Sequence, residues 1–249
     1  MKQILQSLKT GNTTLEDLPS PMPSKGSILV QTTHSLVSLG TEKMLVEFGK
    51  ANLIKKARQQ PEKVKLVLDK IKTEGLIPTL ETVFRRLEQP LPLGYCNVGT
   101  IIDCGDNISE FSIGDRVASN GPHAEVVCVP KNLAIKVPKG VSNEEATFTV
   151  IGSIGLQGIR LLKPQLGETI VVYGLGLIGL ICCQLLKQNG CNVIGIDLDP
   201  NKCNLANKWS IPTINPNINH PVNSVMDYTD AVGADGVLIT ASTQSKDVI

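Results

Sequence analysis

Aromatic residues are scarce in this chain. Its 249 residues include one Trp, three Tyr and four Phe, too few for the stacking platforms that hold single-stranded nucleic acid. Excess charge is missing as well. Twenty-four Lys and Arg stand against 23 Asp and Glu, a net charge of +1, so no overall field draws the chain to nucleic acid or to a membrane. The opening residues, Met1-Lys2-Gln3-Ile4-Leu5-Gln6-Ser7, lack the apolar run of a secretory signal. No Cys-x-x-Cys pair occurs and the cysteine total is odd, at seven. That usage fits reduced thiols in a cytoplasm better than a disulfide framework.

What is present is a globular composition, 41% hydrophobic and 19% charged, in a chain long enough for two domains. Its most informative stretch is Thr169–Asp197. A β-branched run, Thr169–Tyr173, leads into Gly174-Leu175-Gly176-Leu177-Ile178-Gly179. An apolar helical segment runs to Lys187, Gly190 ends it, and Asn192–Ile196 leads to Asp197. Strand, glycine turn, helix, strand and acid follow in the order of a dinucleotide-binding unit.

Each part has a physical role. Gly174 permits the tight turn out of the strand. Gly176 lets a pyrophosphate approach the backbone, and Gly179 lets the helix pack closely. The helix N-terminus offers N–H groups and the positive end of its dipole to the phosphates. Asp197, with Leu198 beside it, stands where an acid accepts the ribose hydroxyls and repels a 2′-phosphate. NAD is therefore expected ahead of NADP, a preference that nearby Lys202 weakens a little. The uncharged run Thr169–Leu186 is about long enough to span a bilayer. Its glycines, its β-branched start and Gln184 favour a buried strand and helix instead. Cys182 and Cys183, adjacent on that helix, read as core fillers.

The first part of the chain reads as short strands. Ile4–Leu8 is one, and Ser27–His34 is a β-branched, alternating run. Gly40 is expected to turn the chain into a helix starting near Glu42. Met44–Gln59 and Glu62–Lys72 carry helical periodicity on either side of Pro61, and Leu80, Val83, Phe84 and Leu87 mark an amphipathic helix. Lys50, Lys55, Lys56, Arg58, Lys63, Lys65, Lys70 and Lys72 make this segment basic. Two readings stand: a solvated helical face, or a lid over an anionic substrate. Further strands are expected over Val98–Cys104, Arg116–Ser119, His123–Val129 and Leu133–Val137. Ser142–Gly152 reads as a helix opened by a Ser142/Glu145 capping box, and Gly155–Leu162 as a second one. A β-rich, barrel-like domain over 1–150 thus precedes an α/β domain over 151–249. Asp199-Pro200 starts the next helix there. Ile211–Ile214 and Val237–Thr240 are its third and fourth strands, with Thr240 at the carboxyl end where cofactor is met.

The order of several motifs carries a family likeness. These are Gly40-Thr41-Glu42, Pro92-Leu93-Gly94-Tyr95, the Val98–Val117 run, Ala124-Glu125-Val126-Val127-Cys128-Val129-Pro130 and the Gly174–Gly179 turn. The chain resembles the medium-chain dehydrogenase/reductase superfamily, the relatives of zinc alcohol dehydrogenase, throughout except for the insertion at about 44–90. Its nearest likeness is to bi-domain oxidoreductases of sugar or polysaccharide biosynthesis, in which a Gfo/Idh/MocA-type module follows. The resemblance implies a GroES-like catalytic domain, a Rossmann NAD(P) domain and a substrate cleft between them. It also implies further strands and a returning C-terminal segment beyond Ile249, so a C-terminally truncated Rossmann sheet is expected. The partners expected are a small-molecule substrate and either a second copy or a missing C-terminal module, with no nucleic acid or membrane.

The zinc ligands that the resemblance implies are replaced. Ser38 and Leu39 occupy the Cys region, Tyr95 and Cys96 the His-Glu place, and Ser153 falls near the later ligand. Leu cannot bind zinc, and Tyr and Ser are poor ligands at neutral pH. Cys96 and His123 alone make a weak site, so no zinc is expected. Tyr95 then either donates a hydrogen bond to the substrate oxygen or serves as a cleft-wall aromatic. Thr41, Ser38 and Glu42 are candidates for a hydroxyl relay. His123 is a lone acid, His34 a strand residue with a satisfied ring, and His220 a surface residue. Two functions follow. One is an NAD(P)-dependent, zinc-independent oxidoreductase moving a hydride to or from an alcohol or carbonyl carbon, sugar-related by the resemblance. The other is a non-catalytic nucleotide-binding fragment of a longer oxidoreductase.

Overall fold

The computed structural model describes residues 1–52, 55–56, 58, 61–74 and 88–241. The helix expected around Leu80–Leu87 lies outside the described residues. The chain divides into two compact units, Met1–Thr149 and Val150–Ile249.

The first unit begins with β1 (Lys2–Gln6), β2 (Thr13–Asp17) and β3 (Ser27–Ser35). Helices α1 (Leu39–Lys50) and α2 (Pro61–Glu74) follow, then β4 (Leu91–Pro92), β5 (Asn97–Cys104), β6 (Arg116–Ser119), β7 (Val126–Pro130), β8 (Ala134–Lys136) and a short helix, α3 (Asn143–Ala146). The strands form two antiparallel sheets, in the orders β7-β3-β5-β6-β8 and β2-β1-β4. A bridge between Gln3 and Ala124 ties them together. Ile28, Val30, Ile101, Val117, Val127 and Val129 fill the core of the larger sheet. The β3–β5 register slips between Thr32 and His34, a bulge that re-aims the last residues of β3.

Several boundaries differ from the sequence reading, each for a local reason. Helix α1 starts at Leu39, not near Glu42, because the Glu42 carboxylate reaches back to accept the Ser38 backbone N–H at 2.8 Å. Gly40 lies inside its first turn and makes no left-handed turn. The helix stops at Lys50, where the Ala51 N–H bonds the Glu47 and Phe48 carbonyls and Ala51 turns extended. Pro61 opens α2 rather than standing outside it, since a missing N–H costs nothing at a helix start. Lys56 belongs to neither reading of the basic segment: it is buried, and its ammonium donates to the Leu8 carbonyl. His123 is not the start of a strand. Its N–H donates to Leu93, just after β4, and its carbonyl accepts from Ile4 of β1, so it sits beside the bridge between the two sheets.

The second unit is built on α4 (Thr149–Leu162), β9 (Thr169–Tyr173), α5 (Leu177–Gln188), β10 (Asn192–Ile196), α6 (Pro200–Lys208), β11 (Thr213–Ile214), α7 (Pro221–Tyr228) and β12 (Gly236–Ile239). The capping box of α3 is present, with Ser142 and Glu145 bonded reciprocally. The single helix expected over Ser142–Gly152 is nevertheless divided between α3 and α4. The Thr147 and Thr149 hydroxyls turn back onto the Glu144 and Ala146 carbonyls at that break. Asp199 caps α6, accepting the Asn201 N–H at 2.9 Å, with Pro200 in the first turn. β11 is shorter than expected because Pro212 has no N–H to give to the ladder.

All four strands of this sheet are parallel, in the order β11-β10-β9-β12. The chain winds outward from β9 to β11 and then returns to the other side of β9. The carboxyl ends of β9 and β12 therefore flank a topological switch point, where sheets of this kind bind ligands. Ile170, Val172, Cys182, Cys183, Leu186 and Ile211 belong to the core beneath α5. Burial pushes the thiols of Cys182 and Cys183 up to about 11 and about 12, so both are inert core fillers. No disulfide joins any of the seven cysteines. Among the described residues, no helix is long and apolar enough to cross a membrane.

Candidate active site

Two groups of residues stand out, one in each unit. In the second unit, the three turn glycines meet three different environments. Gly174 has φ +100°, and a Cβ there would lie 2.6 Å from the Ala241 nitrogen. Gly179 allows no side chain: its Cβ would fall 1.8 Å from the Gly174 carbonyl oxygen and 2.7 Å from Thr240 Oγ1. Gly176 is the reverse case. It is the N-cap of α5, and a Cβ there would meet nothing within 4 Å. The turn is closed at its two ends and open in the middle, above the first N–H groups of a 12-residue helix. Those N–H groups have no partner within the helix, so they are available to an anion. This cradle fits the pyrophosphate of a dinucleotide.

Asp197 is buried and holds the turn in shape. Its Oδ2 accepts the Leu175 N–H at 2.7 Å, and its Oδ1 accepts the Asp199 N–H at 2.9 Å. Lys202 approaches Oδ2 at 3.4 Å. The Leu175 N–H is thus committed to Asp197, and the Leu175 side chain is fully buried. Leu177 and Ile178 are half-buried at the start of α5, while Leu198 is exposed just after Asp197. Thr240, at the end of β12, donates to the Gly174 carbonyl at 2.6 Å and locks that strand end to the turn. The cofactor candidates therefore gather around one switch point, with Leu175 and Thr240 acting within the turn's framework.

In the first unit, the candidates converge where α1 starts. The Tyr95 hydroxyl lies 3.4 Å from Thr41 Oγ1, so these two residues are brought together. Ser38 is buried at the N-cap, and its side chain makes no cap hydrogen bond. Glu42 is buried too, and Glu42 Oε2 lies 3.0 Å from His123 Nε2. On the other side of the ring, His123 Nδ1 lies 2.9 Å from Ser35 Oγ. His123 is therefore not a lone acid but the centre of a Ser35–His123–Glu42 chain. Gly94, at φ +89°, lies against the ring: a Cβ there would stand 2.6 Å from it. The sequence reading missed Ser35, because it ended the alternating strand at His34, whereas β3 runs to Ser35.

The other histidines are structural. His34 Nε2 pairs with Glu144 at 3.2 Å, while its buried Nδ1 has no partner, so the ring is half satisfied. His220 is exposed at the N-cap of α7. The Ser153 hydroxyl bonds the Val150 carbonyl of its own helix. Among the described residues, no three His, Cys, Asp or Glu side chains gather to hold a metal.

A family model described as the UDP-glucose/GDP-mannose dehydrogenase family, NAD binding domain, matches residues 168–235, the span from just before β9 to just before β12. The chain is similar to D-guloside 3-dehydrogenase of Escherichia coli K12, at 32% identity over 154 residues, covering 60% of this chain and 44% of that protein. It is also similar to sorbitol dehydrogenase 1 of Saccharomyces cerevisiae, at 24% identity over 178 residues, covering 59% of this chain and 50% of that one. The chain thus spans about half the length of the curated relatives it matches. Among solved structures, alcohol dehydrogenase TADH from Thermus sp. ATN1 superposes with a TM-score of 0.75 at 19% identity, covering 98% of this chain and 71% of that one. The relatives and structural neighbours of this chain are medium-chain dehydrogenases and reductases, and the chain has their fold.

Proposed function

We propose that the chain is an NAD-dependent, zinc-independent oxidoreductase acting on an alcohol or carbonyl carbon of a sugar-derived substrate. The observation that carries this reading is the glycine turn, open at Gly176 and sealed at Gly174 and Gly179. The names of the relatives, a guloside dehydrogenase and a sorbitol dehydrogenase, bring the polyhydroxylated substrate. Val150–Ile249 serves as the cofactor unit and Met1–Thr149 as the catalytic unit. Gly174–Gly179 and the start of α5 hold the pyrophosphate, and Asp197 with Leu198 faces the adenosine ribose. Thr240 keeps the end of β12 against the turn. Asp197 disfavours a 2′-phosphate, which supports NAD over NADP, although Lys202 at 3.4 Å offsets part of its charge.

A bound nicotinamide supplies the hydride chemistry. The protein's share is to orient the substrate and manage the proton on its oxygen. Tyr95 turns its single O–H from Thr41 Oγ1, 3.4 Å away, to that oxygen, and the Thr41 hydroxyl donates to the phenol in its place. Ser38 and Glu42 fix the start of α1 beneath them. No zinc ligand set is assigned, because Leu39 and Tyr95 stand where ligands are needed. Seven thiols without a disulfide suit a cytoplasmic setting.

The test is turnover. The purified chain is assayed with NAD and a panel of polyols and glycosides, and with NADH and the matching ketones, before and after chelation. NAD-linked oxidation or reduction that survives chelation supports the reading. Activity lost on chelation and restored by zinc refutes the zinc-free part. No turnover in either direction by a folded chain that binds NADH refutes an enzyme complete in this chain and supports the nucleotide-binding fragment.

A further inference from the structure

Ser35, His123 and Glu42 come from three separate parts of the first unit. Ser35 ends β3, Glu42 lies in the first turn of α1, and His123 sits beside the bridge between the two sheets. Ser35 is exposed, whereas His123 and Glu42 are buried, at 7% and 6% exposure. An imidazole shut away from water bonds through both nitrogens, and only one partner reaches solvent. That asymmetry is what a proton path requires.

The chemistry follows from the donors. A carboxylate only accepts, so Glu42 Oε2 at 3.0 Å places a proton on His123 Nε2. The neutral ring then presents Nδ1 as a base, and Ser35 Oγ at 2.9 Å is the donor to it. Glu42 is fixed in turn by the Ser38 N–H on its other oxygen. The backbone of Gly94 lies against the ring, and the His123 N–H and carbonyl are tied to Leu93 and Ile4. The ring is held through its two nitrogens, by Ser35 and Glu42. The groups facing the ring are Glu42 from α1, Ser35 from β3, backbone from β1 and the Leu93–Gly94 segment beside Tyr95, whose phenol is turned to Thr41. The arrangement follows the logic of a nucleophile–base–orienter triad, although no acyl chemistry is needed.

We propose that Ser35, His123 and Glu42 form the proton relay of the oxidoreductase, with Ser35 as a catalytic residue at its solvent end. This rests on the function proposed above. In the oxidation direction, a bound oxidised nicotinamide would supply the hydride acceptor, and the chain's own share is the proton. The substrate O–H proton passes to Ser35 Oγ as the Ser35 proton passes to His123 Nδ1. The products are a carbonyl, reduced cofactor and an imidazolium beside Glu42, which later releases its proton to water. Reduction runs the same steps backwards. Glu42 is a positioning residue that fixes the tautomer and stabilises the imidazolium.

The experiment has two arms. The first is nitrogen NMR of the histidine rings in the cofactor-free chain, which needs no turnover. The unprotonated nitrogen of neutral His123 is expected to be Nδ1, in the wild type and in Ser35→Ala. A proton on Nδ1 in the neutral ring overturns the relay. The second arm is kinetics of Ser35→Ala, His123→Gln and Glu42→Gln, each checked for folding by thermal melt and for NADH binding. Ser35→Ala is expected to lower kcat about 100-fold with little change in KM. It should also lose the acidic limb of the pH–rate profile, and the Ser35→Ala/His123→Gln double variant should be no slower than His123→Gln alone. Wild-type kcat and pH profile in Ser35→Ala overturn the relay and leave the oxidoreductase standing. A wild-type chain without turnover removes the oxidoreductase and, with it, the relay, whatever the tautomer.

Discussion

Replacing Gly176 by Ala separates cofactor binding from folding. Gly176 has φ −74° and ψ −169°, a backbone that alanine adopts, and open space where its Cβ would stand. At an N-cap, alanine is poorer than glycine by about 0.5–1 kcal/mol. The stiffer unfolded chain returns about 0.4–1 kcal/mol. The net change in stability is near zero, and Tm should hold within about 2 °C. The same methyl occupies the space through which a pyrophosphate reaches the backbone. Losing one charge-assisted hydrogen bond there costs about 2 kcal/mol, or about 30-fold in the Kd for NADH. Gly179→Ala is the contrasting variant. Its Cβ would lie 1.8 Å from the Gly174 carbonyl oxygen, a backbone atom that cannot swing aside. Overpacking of this kind costs about 3 kcal/mol, which lowers Tm by about 6–12 °C in a chain of this size. The assay is a thermal melt and an NADH fluorescence titration of wild type and both variants. Wild-type NADH affinity in Gly176→Ala, at unchanged Tm, would refute the placement of the phosphates.

Other consequences follow from particular contacts. Asp197→Ala leaves the buried Leu175 N–H without its acceptor, so stability should fall by about 1–3 kcal/mol in a denaturant melt, with NADH affinity falling as well. Tyr95→Phe should lower kcat about 10-fold and leave NADH binding unchanged; an unchanged kcat makes Tyr95 only a wall. Cys182 and Cys183, pushed up to about 11 and about 12, should escape iodoacetamide in the native chain at neutral pH and react after urea, as mass spectrometry would read. Lys136 beside Asp115, with the Ser112 N–H, holds the Asp115 carboxyl below its ordinary range. Its contribution is present above the unfolded value of about 3.9 and is lost as pH falls through the lower folded value. Asp115→Asn should therefore lower Tm at neutral pH, and the difference should vanish in acid.

The cofactor turn was legible because its requirements are local. A left-handed Gly174, an open Gly176 and a side-chain-free Gly179 are needs of six consecutive residues, and the β-branched runs that flank them form the strands Thr169–Tyr173 and Asn192–Ile196. The Asp199-Pro200 helix start and the Ser142 capping box are equally local. The candidate group of the first unit was only half legible. Tyr95, Thr41 and Glu42 stood out through the motif order, but Ser35 pairs with His123 across 88 positions and Glu42 with His123 across 81. Those meetings are set by sheet register, and the bulge between Thr32 and His34 breaks the alternation from which the facing of Ser35 could be read. The early start of α1 was hidden because its cap is the Glu42 carboxylate, reaching back four residues to Ser38. A motif scan looks for the cap at Ser38 itself.

The most direct test of the account is calorimetric titration of the wild-type chain with NADH and with NADPH. One NADH bound per chain, about 10-fold (about 1.4 kcal/mol) or more tighter than NADPH, is the result that the role proposed for Asp197 predicts. No saturable binding of either nucleotide, or tighter binding of NADPH, would contradict it.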